Sequence, residues 1–138
     1  MPELATPVEK EKGQSGDKTK MILIVEDDEV LLRVLYLFLK RRSGFSIATA
    51  SDGDTAFKMA QRLKPDIILL DLLLPKMDGL EVLRVLKANP KTKDTPVIVL
   101  SNLGDSADIE KAKTLGAVDY FVKANTDLSV ILEKIKNY

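Results

Sequence analysis

The chain has 138 residues, the size of one domain, and its 45% hydrophobic and 30% charged residues are ordinary proportions for a packed core under a solvated surface. Its 21 Lys and Arg balance 21 Asp and Glu, so no net charge draws it to nucleic acid or to an anionic membrane. The absence of both Cys and His excludes disulfides, thiolate nucleophiles, imidazole acid–base chemistry and the zinc sites built from those residues. What remains is chemistry by carboxylates, hydroxyls, amines, backbone groups or an oxygen-preferring metal.

Residues 1–19 are rich in Lys, Glu, Gly, Ser, Thr and Pro, lack periodicity and read as a disordered tail, a plain linker as readily as a functional arm. The tail has no apolar core of a signal peptide. No apolar run in the chain approaches the roughly 20 residues of a membrane span, so a cytoplasmic protein without membrane contact is expected. Residues 20–138 form the one expected domain. Met21–Val25 is a continuous apolar run, as in a strand buried on both faces. Glu29–Arg42 is expected to be helical, with Leu31, Val34, Leu35 and Phe38 toward the core. A second stripe on that helix, Leu32, Tyr36 and Leu39, reads either as packing at the sheet edge or as a docking patch for a helix bundle or a second copy.

After the Ser43-Gly44 stop, Phe45–Thr49 is a short strand. Asp52–Lys64 is a helix with Asp52 as cap and Pro65 beyond its end. Ile67–Asp71 is a buried strand that ends on a charge. Gly79–Ala88 is a helix capped by Asp78 and stopped by Asn89-Pro90. Val97–Ser101 is a strand and Asp105–Leu115 a helix closed by Gly116. Val118–Lys123 is the fifth strand, and a helix capped from Thr126 or Asp127 runs to about Asn137. This alternation implies an α/β domain with a parallel sheet and helices on both faces. Sites in such sheets form at the carboxyl ends of the strands.

Those ends carry Glu26-Asp27-Asp28, Asp71, Ser101-Asn102 and Lys123. Taken singly, each has a structural reading: Asp71 and the acidic triplet as helix caps, Ser101 as a turn former, Lys123 as a solvated charge, Tyr120 as strand packing. Taken together, carboxylates crowded at one edge repel, and a divalent hard cation such as Mg²⁺ relieves that repulsion while keeping positions for phosphate oxygens. A carboxylate can act as a nucleophile toward phosphorus, and phosphoryl transfer needs mainly positioning and charge neutralisation.

Four segments, in order, resemble the receiver domains of two-component response regulators: Ile22–Asp28, Ile67–Gly79, Pro96–Ser101 and Gly116–Lys123. The resemblance covers residues 20–138. It implies a flavodoxin-like five-stranded sheet in the order 2-1-3-4-5. It further implies Asp71 as phospho-acceptor, Mg²⁺ held by Glu26, Asp27, Asp71 and the Leu73 backbone carbonyl, Ser101 and Lys123 on the phosphoryl oxygens, and Tyr120 as the switch aromatic. Asp28 is left as a helix cap, and Met77-Asp78-Gly79 as a structural turn.

The family usually has Pro after the lysine, where this chain has Ala124, so the shape of the following loop is open. Leu73 and Leu103 stand at the positions flanking the path of hydrolytic water and cannot orient it, so slow self-dephosphorylation is expected. The implied donor is a sensor histidine kinase or phosphotransfer domain, the output an unidentified downstream protein or a phosphorelay, with a homodimer as a further partner. No further domain and no DNA-binding motif is expected. Two rivals stand beside this reading: a phosphate-independent scaffold, and an aspartyl-phosphate phosphatase. Against the phosphatase, Leu73 occupies the place of its second Asp. Neither G-x-x-x-x-G-K-[ST] nor G-x-G-x-x-G occurs, so no nucleotide site is expected.

Overall fold

The computed structural model describes residues 19–138, so the tail expected over residues 1–19 lies, apart from its last residue, outside the described residues. In chain order the elements are β1 (Met21–Val25), α1 (Glu29–Ser43), β2 (Ser46–Ala50), α2 (Gly53–Leu63), β3 (Ile67–Leu70), α3 (Gly79–Ala88), β4 (Val97–Ser101), α4 (Ser106–Thr114), β5 (Asp119–Val122) and α5 (Leu128–Lys136). The strands are all parallel and stand in the order β2-β1-β3-β4-β5, the doubly wound arrangement expected. Among the described residues no helix is long and apolar enough to cross a membrane.

The continuous apolar strands follow from helices on both faces. Leu23, Val25, Ile68, Leu70, Val97 and Val99 face a core closed by α2, α3 and α4. Ile22, Ile24, Ile67, Leu69, Ile98 and Leu100 face a second core closed by α1 and α5. Each fully buried aliphatic side chain contributes about 1.5–3 kcal/mol of transfer free energy, so both faces hold the sheet.

On α1 the expected faces are corrected. Leu32, Leu35 and Leu39 are the buried stripe, Leu31, Tyr36 and Phe38 are partly buried beside it, and Val34 is exposed. The helix is apolar around much of its circumference, so two i, i+3, i+4, i+7 stripes fit equally well, and the position of the sheet decides between them. Leu32 and Leu39 are therefore core rather than a docking patch.

The caps do what their chemistry allows. Asp28 accepts from the amides of Val30 and Leu31, Asp52 from Thr55 and Asp78 from Leu80. Asp105 and Asp127 occupy N-cap positions without a side-chain bond, and Thr126 instead donates to the Val122 carbonyl at 2.9 Å. Gly44 ends α1 in the left-handed region at φ 72°, which costs a residue without Cβ nothing. β2 lies one residue later than expected, because Gly44 turns Phe45 out of the ladder and Ser46 takes register with Met21.

Candidate functional site

Register brings the strand ends together. Val25 pairs with Ala50 on one side and Leu70 on the other, so the next residues, Glu26 and Asp71, emerge side by side. Their amides continue the ladder: Glu26 N–H donates to the Ala50 carbonyl at 3.0 Å, and Asp71 N–H to Val25 at 3.0 Å. Ser101 pairs with Val122, which sets Lys123 just past the end of β5. Asp71 thus lies beyond β3, and Lys123 opens a 3₁₀ turn over Lys123–Asn125.

Both Glu26 and Asp71 are buried, at 2% and 4% exposure, while Asp27 is exposed. The Lys123 ammonium lies 2.8 Å from Glu26 Oε1 and 3.0 Å from Asp71 Oδ2. The remaining oxygens are also engaged: Glu26 Oε2 accepts from Asp28 N–H at 3.1 Å, and Asp71 Oδ1 from Leu73 N–H at 3.2 Å. One oxygen each from Glu26, Asp27 and Asp71 lies within 4.8 Å of the others.

Lys123 is shared by two buried carboxylates, and the nearby Asp27 carboxylate adds a further negative charge. Burial raises the Glu26 pKa to about 6 and the neighbouring Asp71 charge adds to the rise, against the opposing hydrogen bonds of Lys123 and the Asp28 amide. Burial alone would lower the Lys123 pKa, but its bonds to Glu26 and Asp71 outweigh that and raise it, so the ammonium stays charged. An all-oxygen donor set carrying surplus negative charge fits a hard divalent cation, for which Mg²⁺ chemistry is suited.

Ser101 is fully buried, and its Oγ accepts from Leu103 N–H at 3.3 Å. The Tyr120 hydroxyl donates to the carbonyl of the same Leu103. Burial raises the Tyr120 pKa, the Asp108 charge adds to this, and a hydrogen bond with Ser101 opposes it. Sequence reasoning placed Ser101 at this edge and Tyr120 within the fifth strand but missed Leu103 as the residue both of them touch. It also assigned Glu26 to a metal alone and missed its contact with Lys123. The Lys123–Ala124 peptide is trans, which settles the loop shape left open by the missing Pro.

The turn after Asp71 is held by close approach. A Cβ on Gly79 would lie 2.3 Å from Leu72 Cα and 2.6 Å from the Asp71 carbonyl oxygen. Gly79 N–H also donates to the Leu72 carbonyl at 3.0 Å. The start of α3 is therefore pressed onto the backbone that carries Asp71.

Comparison with known proteins agrees with this geometry. The sequence profile of the response regulator receiver domain matches residues 22–136. The alkaline phosphatase synthesis transcriptional regulatory protein PhoP of Bacillus subtilis is 40% identical over 104 residues, 75% of this chain and 42% of PhoP. The chain spans less than half the length of the curated relatives it matches. The phosphorylated cyanobacterial phytochrome response regulator RcpA superposes with a TM-score of 0.72 at 33% identity, covering 87% of this chain and 91% of RcpA. The receiver domain of the sensor histidine kinase PA1611 from Pseudomonas aeruginosa PAO1, with magnesium coordinated in its active site cleft, gives 0.78 at 28% identity over 88% of this chain and 98% of its own. This chain belongs to the response regulator receiver domain family, the phosphoryl-accepting modules of two-component signalling.

Proposed function

We propose that this receiver accepts a phosphoryl group on Asp71 from a phosphohistidine of a sensor histidine kinase or phosphotransfer domain, in the cytoplasm, with Mg²⁺ held by Glu26, Asp27, Asp71 and the Leu73 backbone carbonyl. The observation that carries this reading is the buried Asp71 carboxylate 3.0 Å from the Lys123 ammonium, beside the oxygens of Glu26 and Asp27. Bound Mg²⁺ would neutralise charge on the transferring group. The Asp71 carboxylate attacks phosphorus as the bond to the donor nitrogen breaks, and Lys123 meets a phosphoryl oxygen with a charge already in place.

Phosphorylation adds about −1.5 to −2 charges and three acceptor oxygens. The Ser101 hydroxyl turns to donate to one of them, which disturbs its bond with Leu103 N–H. Because the Leu103 carbonyl holds the Tyr120 hydroxyl, the change passes through one residue to β5. We assign the switched surface to α4, β5 and α5, read by a downstream protein, a relay domain or a second copy. Leu73 and Leu103 offer no polar side chain to a hydrolytic water, so the aspartyl phosphate should last minutes or longer; a lifetime of seconds contradicts this.

The test is intact-mass spectrometry after treatment with Mg²⁺ and a small acyl or amido phosphate. Wild type should gain one phosphoryl group and Asp71→Ala none. An unchanged wild-type mass would leave a receiver-like scaffold as the better reading.

A further inference from the structure

We propose that Lys20 is a positioning residue for α5: its ammonium pins the last turn of that helix to the start of β1, so that α5 answers phosphorylation by swinging its first turn about a fixed far end. The swing rests on the phosphoryl reading above; the pin does not. The backbone around Lys20 is tied on two sides. Its carbonyl accepts from Ser46 N–H at 2.9 Å, and the next amide, of Met21, donates to the Asp66 carboxylate at 2.7 Å. From this fixed base the side chain crosses to residues 115–118 positions further along the chain. The ammonium donates to the main-chain oxygens of Ile135 at 3.0 Å, Tyr138 at 2.8 Å and Lys136 at 3.5 Å. It also lies 5.7 Å from the centre of the Phe45 ring, within the range at which a ring face attracts a cation.

The chemistry suits the place. The last carbonyls of a helix have no amide partner inside it and carry the negative end of the helix dipole. A compact ammonium with three donors meets both needs at once. The opposite end of α5 has no such device. Asp127 caps it without a side-chain bond, the Ile131 amide reaches the Asp127 carbonyl only at 3.4 Å, and Val130 is exposed. Toward the far end, by contrast, Leu132 and Ile135 are buried.

The two ends also lie at opposite edges of the sheet. The last turn sits at the start of β1, whereas the first turn follows the 3₁₀ turn opened by Lys123, whose ammonium is 3.0 Å from Asp71. A phosphoryl group on Asp71 therefore acts on the unpinned end. A helix held at one end and moved at the other turns about the held end, and Lys20 makes that end part of β1.

The experiment is residue-resolved amide exchange by NMR on the full chain, for wild type and Lys20→Met, each with and without treatment by Mg²⁺ and a small acyl phosphate. Thermal unfolding establishes that the variant folds. Without phosphorylation, Lys20→Met should speed exchange at residues 136–138 by at least about fivefold while leaving β3 and β4 as they were. Unaltered exchange at those residues in the folded variant overturns the pin. On phosphorylation, changes within α5 should fall on residues 128–132 in wild type and extend to residue 138 in Lys20→Met.

The wild-type measurement stands without the variant: changes as large at residues 136–138 as at 128–132 overturn the swing. If intact mass shows that wild type takes up no phosphoryl group, the phosphoryl reading falls and the swing with it. That outcome is distinct from a failed pin, which the comparison of the two untreated proteins decides.

Discussion

The segment from β1 to α3 and the segment from α4 to α5 are held in different ways. In the first, all three helices are capped by aspartates whose side chains bond to backbone amides, and β2 and β3 are buried at every position. In the second, the aspartates at both N-caps make no side-chain bond, α4 buries only Ala112, and no residue of β5 is fully buried. Of α5, Ile131, Leu132 and Ile135 are buried and Leu128 is partly buried against the same core. The carboxylates lie at the strand ends of the firm segment, whereas Lys123 and Tyr120 belong to the looser one. A charge placed on Asp71 therefore acts across a boundary between a part that resists movement and a part whose local opening costs less.

Truncation is the severest way to test that contrast. Leu83→Ala, at a fully buried position of α3, should cost about 2–5 kcal/mol in denaturant unfolding, against less than about 0.5 for Val130→Ala on the exposed side of α5. Equal costs would erase the distinction. Gly79→Ala comes next: its Cβ would meet backbone rather than a flexible side chain, so a loss of more than about 2 kcal/mol is expected together with weaker phosphorylation of Asp71. A stable, fully active variant would show that the α3 start can retreat without disturbing the acid.

The pH dependence of stability sharpens the charge imbalance at the boundary. Because burial raises Glu26 from 4.5 to about 6, the folded state holds that proton more tightly than the unfolded state. Its contribution is full below about pH 4.5 and is lost as pH rises through about 6, roughly 2 kcal/mol for a shift of about 1.5 units. Glu26→Gln should remove that part of the slope in the absence of divalent ions, and an unaltered slope would place the titration elsewhere. The smallest expected difference is at the caps. Asp28→Ala and Asp52→Ala should each cost about 1 kcal/mol, and Asp105→Ala and Asp127→Ala well under half of that, by thermal unfolding.

Punctuation made much of this fold legible. The bounds of β1, β4 and α3 were read correctly because charge, Pro, Asp or Asn-Pro marks their ends. The strand order and the gathering of Glu26, Asp27, Asp71, Ser101 and Lys123 at one edge followed from the family resemblance and the parallel topology. The inward face of α1 was not legible, since a Leu-rich helix offers two stripes and only the sheet chooses. Nor was the Lys123–Glu26 contact, because strand ends can be located from sequence but not the oxygen that a long side chain reaches. The Tyr120 partner is a backbone carbonyl, which carries no residue signature at all.

The most direct test of the boundary is peptide-resolved amide hydrogen exchange with Mg²⁺, on wild type with and without phosphorylation and on Asp71→Ala treated in the same way. In phosphorylated wild type, changes in protection should concentrate in residues 102–136, with β1 to α3 left as they were and Asp71→Ala unaffected. Phosphorylated protein that shows no change, or changes centred on α1 to α3, would contradict a phosphoryl switch acting from the firm rim on the looser segment.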